Sequence, residues 1–252
     1  MRRALYALLL ALTPSALAVQ VSFPVWQGNS YTVSTLDPRR DTLKLYWKSP
    51  ATGAPFLQFS DLDTYLAGRN ETLQFATNSG IYTPAYAPLG LHVEAGRVLR
   101  PLVQSRRANT PGGGNFALKP NGVFWTKGTQ AGVTETGAYA RSNLSPDYAT
   151  QSGPMLVIGG KIHPEFNASS ASFKIRSGVG VCRSGPGQSQ VVRFALSAAP
   201  VNFYSFATFF RDALGCPDAL YLDGSISAFY TPELGGLQFV NYAGLWGVTS
   251  KR

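Results

Sequence analysis

Short apolar runs, broken every few residues by glycine, proline or a polar pair, dominate this chain, and long stretches of helical period are absent. That punctuation predicts strands. Leu43, Leu45 and Trp47 alternate with Thr42, Lys44 and Tyr46, as in a half-buried strand. Further strands are predicted at Phe56 to Phe59, Leu73 to Thr77, Leu91 to Val93, Gly122 to Trp125, Met155 to Ile158, Phe173 to Ile175 and Val191 to Leu196. Two segments carry a helical pattern instead. Ser60 is placed to cap a helix whose apolar face is Leu62, Tyr65 and Leu66, with Asp63 in its first turn and an end near Gly68. From about Tyr204 to Leu214, residues Phe206, Phe209, Phe210, Ala213 and Leu214 recur at helical spacing, and Gly215 is the stop.

Each helix runs into an apolar strand that ends in a polar, glycine-containing loop: Asn78-Ser79-Gly80 after the first, Asp223-Gly224-Ser225 after the second. Two matched units of this kind predict a shared cleft. No low-complexity linker and no repeat of solenoid period divides the chain. The expected fold is a single α+β domain with a strand-rich mixed sheet and a few short helices.

Composition changes this picture mainly at the start. Arg2 and Arg3, an apolar stretch from Ala4 to Leu12, and Ala16-Leu17-Ala18 read as a signal peptide over 1–18, leaving a domain at 19–252. The apolar stretch is too short for an ordinary transmembrane helix, and an uncleaved anchor is the rival reading. The reading implies a periplasmic or secreted protein with no integral membrane segment in the mature chain. The formal net charge of +9 falls to +7 without Arg2 and Arg3, and the remaining basic residues are dispersed. With no Lys/Arg stripe interleaved with stacking aromatics, a nucleic-acid partner is not expected. An anionic or phosphorylated carbohydrate fits better. Cys182 and Cys216 are an even pair compatible with one disulfide, or with two buried thiols that never meet.

Several familiar chemistries are absent. Gly112-Gly113-Gly114 lacks the lysine and spacing of a phosphate loop or dinucleotide fingerprint. The segment from Arg106 to Gly114 reads either as a lid or as a flexible hairpin end. Gln151-Ser152-Gly153-Pro154 lacks the nucleophile-elbow frame, although Ser152 can serve as a binding hydroxyl. His92 and His163 have no partner at zinc-ligand spacing, and His163 reads as a turn residue. No metal site is expected. A divalent cation such as calcium is compatible with Asp223 and nearby oxygens, but no calcium-loop pattern supports it.

What remains is a carboxylate and a guanidinium. Asp223 closes an apolar strand, where a side chain is placed rigidly, though an Asx-turn gives the same pattern. In Lys174-Ile175-Arg176-Ser177-Gly178-Val179-Gly180, strand alternation sets Lys174 and Arg176 on one face. Arginine's rigid fork suits phosphate, although both cations on a solvated edge strand is the plainer alternative. Glycosidic hydrolysis commonly takes two carboxylates. A phosphate leaving group, being weakly basic, has less need of an acid, so Arg176 and Asp223 could suffice, with Glu135 in reserve.

Six blocks, in order, then carry a family resemblance: Phe75-Ala76-Thr77-Asn78-Ser79-Gly80-Ile81-Tyr82, Pro88-Leu89-Gly90-Leu91, the run from Gly114 to Phe124, the run from Ala149 to Leu156, Lys174 to Gly180, and Leu222 to Ser227. The chain resembles the phosphodiester glycosidases, the family of the catalytic domain of N-acetylglucosamine-1-phosphodiester alpha-N-acetylglucosaminidase. The resemblance implies hydrolysis of a sugar-1-phosphate diester at the anomeric carbon, on an envelope or extracellular glycan. A non-catalytic glycan-binding protein is the alternative. The resemblance places Asn78, Arg176, Asp223 and Gly224 in the site; Asp223, Arg176 and Asn78 are then expected to be catalytic, with Ser79, Asn121, Ser152, Gly153, Gly178, Gly224 and Ser225 expected around the substrate. Ser79 and Ser177 depart from the residues common at those two positions.

Overall fold

The computed structural model describes residues 19–104, 114–224, 226–235 and 240–251. The proposed signal segment, Ser225 and all but the last residue of the Arg106–Gly114 segment lie outside that set. The fold is α+β, with three sheets and a few short helices. Every strand pairing among the described residues is antiparallel, so the one mixed sheet expected from sequence is three antiparallel ones.

The largest sheet is built around the hairpin of Ser177–Ser184 and Ser189–Ser197. Asp218–Asp223 pairs with the first of these strands, and Met155–Ile158 with Asp218–Asp223. Its two faces are both buried. Val179, Phe194, Leu220 and Leu222 join Phe75, Phe124 and Trp246 in the central core. Ala195, Ala219 and Tyr221, on the other face, pack with Phe206, Phe209 and Phe210. Gly178 and Gly180 make that second contact close. A methyl group on Gly178 would press on Phe206 and Leu156, and one on Gly180 on Phe210 and Cys216.

In the four-stranded sheet, Leu245–Lys251 lies between Leu43–Tyr46 and Glu71–Asn78. The helix Phe59–Ala67 covers one side through Phe59, Leu62 and Leu66. Gln58 rather than Ser60 precedes this helix, which therefore takes in the end of the strand predicted at Phe56 to Phe59. The second helix starts at Phe203, capped by the Asn202 side chain accepting from the Ser205 N–H at 2.8 Å. It widens to a π-helix over Phe209–Ala213 and stops at Gly215, whose φ of +65° suits glycine. Phe173 to Ile175 is not a strand; Lys174 makes only an isolated bridge to Val201. Cys182 and Cys216 form a disulfide buried beneath this helix.

Candidate active site

The two helix–strand–loop units converge. Glu71–Asn78 and Asp218–Asp223 end at the same place, joined through Ser177 at the start of its strand. The Ser177 hydroxyl accepts from Asn78 Nδ2 at 3.1 Å and lies 3.3 Å from the Asp223 carbonyl oxygen. Ser227 adds a second hydroxyl, 2.9 Å from that of Ser177 and 3.0 Å from the same carbonyl. Asn78 and Ser177 are buried, so this network fixes the backbone from which Asp223 projects.

The Asp223 carboxylate is only partly exposed, and its Oδ1 accepts from the Gly224 N–H at 2.6 Å. Oδ2 has no partner among the described residues. Loss of hydration raises the Asp223 pKa from 3.8 to about 6, against the lowering pull of the Gly224 N–H. Tyr82, Tyr221 and Tyr242 are near enough to feel its charge. Burial raises the pKa of each, and the charge of Asp223 raises it further. The Tyr82 hydroxyl donates to the Asn241 carbonyl at 2.6 Å, and its ring stacks on Tyr86 at 5.7 Å between centroids. A carboxylate in such surroundings is a stronger base than an ordinary aspartate and still ionises near neutrality.

Arg176 sits differently from the expectation. Lys174 is exposed whereas Arg176 is 1 % exposed, so the two cations do not share an open face. Chain irregularity before Ser177 breaks the alternation on which that placement relied. Arg176 Nε donates to the Val201 carbonyl and Nη2 to the Ser172 carbonyl, both at 2.8 Å. Its guanidinium carbon lies 3.6 Å from the Phe203 ring centroid. The fork is therefore committed beneath the site rather than open to the cleft. The Tyr221 ring lies on its other side, 5.6 Å from the guanidinium carbon to the ring centroid.

The other predicted residues are mainly supports. Ser152 donates to the Leu222 carbonyl at 3.1 Å, tying Tyr148–Ser152 to the strand that carries Asp223. Ser79 is buried against Gly244 and His92. Asn121 donates to Phe116 O and accepts from Lys119 Nζ and Thr136 Oγ1, and Gly153 packs on its Cβ. Gly178 serves helix packing, and Gly224 lies where a side chain would strike the Tyr221 hydroxyl. Glu135 caps the helix Thr136–Arg141, accepting from the Ala138 N–H at 2.8 Å. Such a capping carboxylate is already employed. His163 is the expected turn residue, accepting from the Glu165 N–H at 3.2 Å. His92 pairs with Glu94 at 2.7 Å. No cluster of three or more His, Cys, Asp or Glu able to hold a metal occurs among the described residues.

Sequence reasoning did not assign roles to Tyr82, Tyr221, Tyr242 or Ser227. Tyr221 had a usable signal, since it lies two residues before Asp223 on the same strand face.

The chain belongs to a known class. Residues 71–243 match the phosphodiester glycosidase family model, and this chain is a member of that family. It is 37 % identical over 213 residues to the uncharacterized protein YigE of Escherichia coli K12, covering 83 % of this chain and 76 % of YigE. The fold is similar to that of the zebrafish N-acetylglucosamine-1-phosphodiester alpha-N-acetylglucosaminidase catalytic domain, auto-inhibited by its pro-peptide. That match has a TM-score of 0.57 at 13 % identity and covers 91 % of this chain and 81 % of that one. A hypothetical protein from Synechocystis has a TM-score of 0.53 at 15 % identity, covering 92 % of this chain and 61 % of the other. No helix among the described residues is long and apolar enough to cross a membrane.

Proposed function

We propose that this protein hydrolyses a glycosyl phosphodiester at the anomeric carbon, on an envelope or extracellular glycan reached from the periplasm or after secretion. The observation that carries the reading is Asp223: a strand-end carboxylate with one oxygen that has no partner among the described residues, its pKa raised to about 6 by burial. Ionised Asp223 either draws a proton from water as that water attacks the sugar carbon, or attacks the carbon itself and is released by water in a second step. In both routes the bond from the anomeric carbon to the phosphate oxygen breaks. The electron pair leaves with a phosphomonoester, whose low basicity removes the need for a strong acid. Asn78, Ser177 and Ser227 hold the strand end, while the positive charge of Arg176 acts from below on the negative charge developing above it.

The test is release of free sugar and phosphomonoester from a panel of alpha- and beta-linked glycosyl-1-phosphodiesters. Product from the parent, abolished in Asp223→Asn, supports the assignment. A parallel arm with chelator decides whether a divalent cation such as calcium takes part. Binding of anionic glycans with no turnover of any diester would favour a non-catalytic carbohydrate-binding protein instead.

A further inference from the structure

Residues 172–175 reach the candidate site as exposed chain, yet their backbone is held at almost every step. The Lys174 N–H donates to the Val201 carbonyl at 3.2 Å, and the Val201 N–H returns a bond to the Lys174 carbonyl at 2.8 Å. The Phe173 N–H donates to the Ala171 carbonyl at 2.9 Å. Arg176 anchors the segment from below. Its N–H donates to Ser197 Oγ at 2.9 Å, its carbonyl accepts from the Ser197 N–H at 3.0 Å, and its guanidinium holds the carbonyls of Ser172 and Val201. A backbone pinned in this way offers its side chains to a ligand with little ordering left to do.

Those side chains are Phe173, 55 % exposed, and Ile175, 40 % exposed, with exposed Lys174 between them. Lys174 takes part in none of the ion pairs among the described residues. A single exposed apolar residue such as Val98 needs no explanation, whereas a close pair on a rigid segment makes a small apolar surface. The Asp223–Gly224 turn fixes where that surface lies. Ser177 pairs with Asp223, and the Ile175 carbonyl oxygen is 3.5 Å from where a Gly224 Cβ would stand. Lys174 and Phe173 come next along the chain, with Phe173 no more than about 7 Å beyond Ile175.

Counted from the turn, the segment offers an aliphatic, then a cation, then an aromatic. In the proposed reaction the anomeric carbon is followed by a phosphate, and the phosphate by the group esterified to it. We propose that residues 173–175 form a ledge for this leaving half of the substrate: Lys174 meets the phosphate, and Phe173 carries a sugar ring esterified to it and so determines specificity on that side. This rests on the phosphodiester reading of the site. A pyranose ring has a face of C–H groups that packs on an aromatic ring while its hydroxyls stay in water, and a half-exposed phenylalanine suits that contact. An acyl chain needs a continuous apolar groove, which Lys174 interrupts, and a small alcohol leaves Phe173 uncovered.

The full-length parent and its variants are compared on two N-acetylglucosamine 1-phosphodiesters, one esterified to methanol and one to a hexose hydroxyl. Preference is the ratio of the two kcat/KM values. Phe173→Ala is expected to lower the preference for the hexose diester about tenfold, and Phe173→Trp to keep it. Lys174→Glu is expected to lower kcat/KM roughly tenfold on both diesters, since both carry the phosphate. The side chains are exposed, so melting temperatures should match the parent's. A preference that Phe173→Ala does not move overturns the sugar contact, and Lys174→Glu equal to the parent overturns the phosphate contact. Phosphatidylglycerol vesicles supply a further arm. Co-sedimentation that Phe173→Ala abolishes, with the hexose preference unmoved, would assign the apolar pair to a lipid surface and overturn the ledge.

Should the parent turn over neither diester, the phosphodiester reading fails separately, and calorimetry with the hexose diester reads the ledge by itself. Affinity weakened about tenfold by Phe173→Ala and by Lys174→Glu supports it. Equal affinity in parent and variants, or no binding by the parent, overturns it.

Discussion

Asp223 gives up hydration to reach its place, and its folded pKa of about 6 stands above the ordinary value of 3.8. A raised carboxylate pKa means that the folded protein holds the proton more tightly than the unfolded chain does. The resulting stability is complete below about pH 4 and is lost as pH rises through about 6. Asp223→Asn removes this titration. Discounted for partial exposure, the variant should be more stable than the parent near pH 7 by on the order of 1–2 kcal/mol, with the gap closing below about pH 4. Thermal unfolding of both proteins across that range measures it. Catalysis follows the opposite slope, because it needs the ionised form: kcat/KM should rise with pH and level off above about 6. A residue more useful than it is stabilising leaves this pair of opposed profiles, and a plain Asx-turn would show only the first.

The elements show where sequence is a good guide and where it stops. Asp218–Asp223 was legible because an apolar run has few options once its ends are marked by turn residues. The matched loops at Asn78 and Asp223 end strands that do meet, joined through Ser177. Arg176 was misplaced because its burial depends on partners distant in sequence: Phe203 from a helix and the Val201 carbonyl from a loop. Alternation holds only within a regular strand, and Phe173 to Ile175 is irregular. Gly178 was expected beside the substrate, yet it and Gly180 lie where the helix meets the sheet. That difference is testable at Gly180. A Cβ there would lie 2.8 Å from Cys216 Sγ and 2.9 Å from Phe210 Cδ1, neither of them free to move away. Gly180→Ala should cost about 1–3 kcal/mol in urea unfolding. Gly187→Ala, with nothing within 4 Å of the added methyl, should stay within about 0.5 kcal/mol of the parent.

At the scale of the molecule, two long-range connections hold the parts together. The disulfide joins residues 34 apart in sequence and pins the helix that carries Phe203 to the strand that begins at Ser177. On the chain-entropy account it restrains the unfolded state by roughly 3–4 kcal/mol, so replacing both cysteines by alanine should lower stability by that amount in denaturant melts. Both sulfurs belong to residues 1 % exposed, and a thiol reductant should act on the folded protein only at its rate of opening. Mass spectrometry of samples quenched at intervals after reductant is added measures that rate.

The other connection is Leu245–Lys251, which lies between Leu43–Tyr46 and Glu71–Asn78. It is synthesised long after both of the strands it separates. At a translation rate of about 5–20 residues per second, the strand ending in Asn78 waits on the order of ten seconds for Leu245 to leave the ribosome. Until Leu245–Lys251 emerges, two strands of the four-stranded sheet lack their shared partner, and the strand end that carries Asn78 is unpaired on that side. Whether the chain emerges from a ribosome or from an export channel, N-terminus first, the arrangement around Asn78 is therefore completed in one late step.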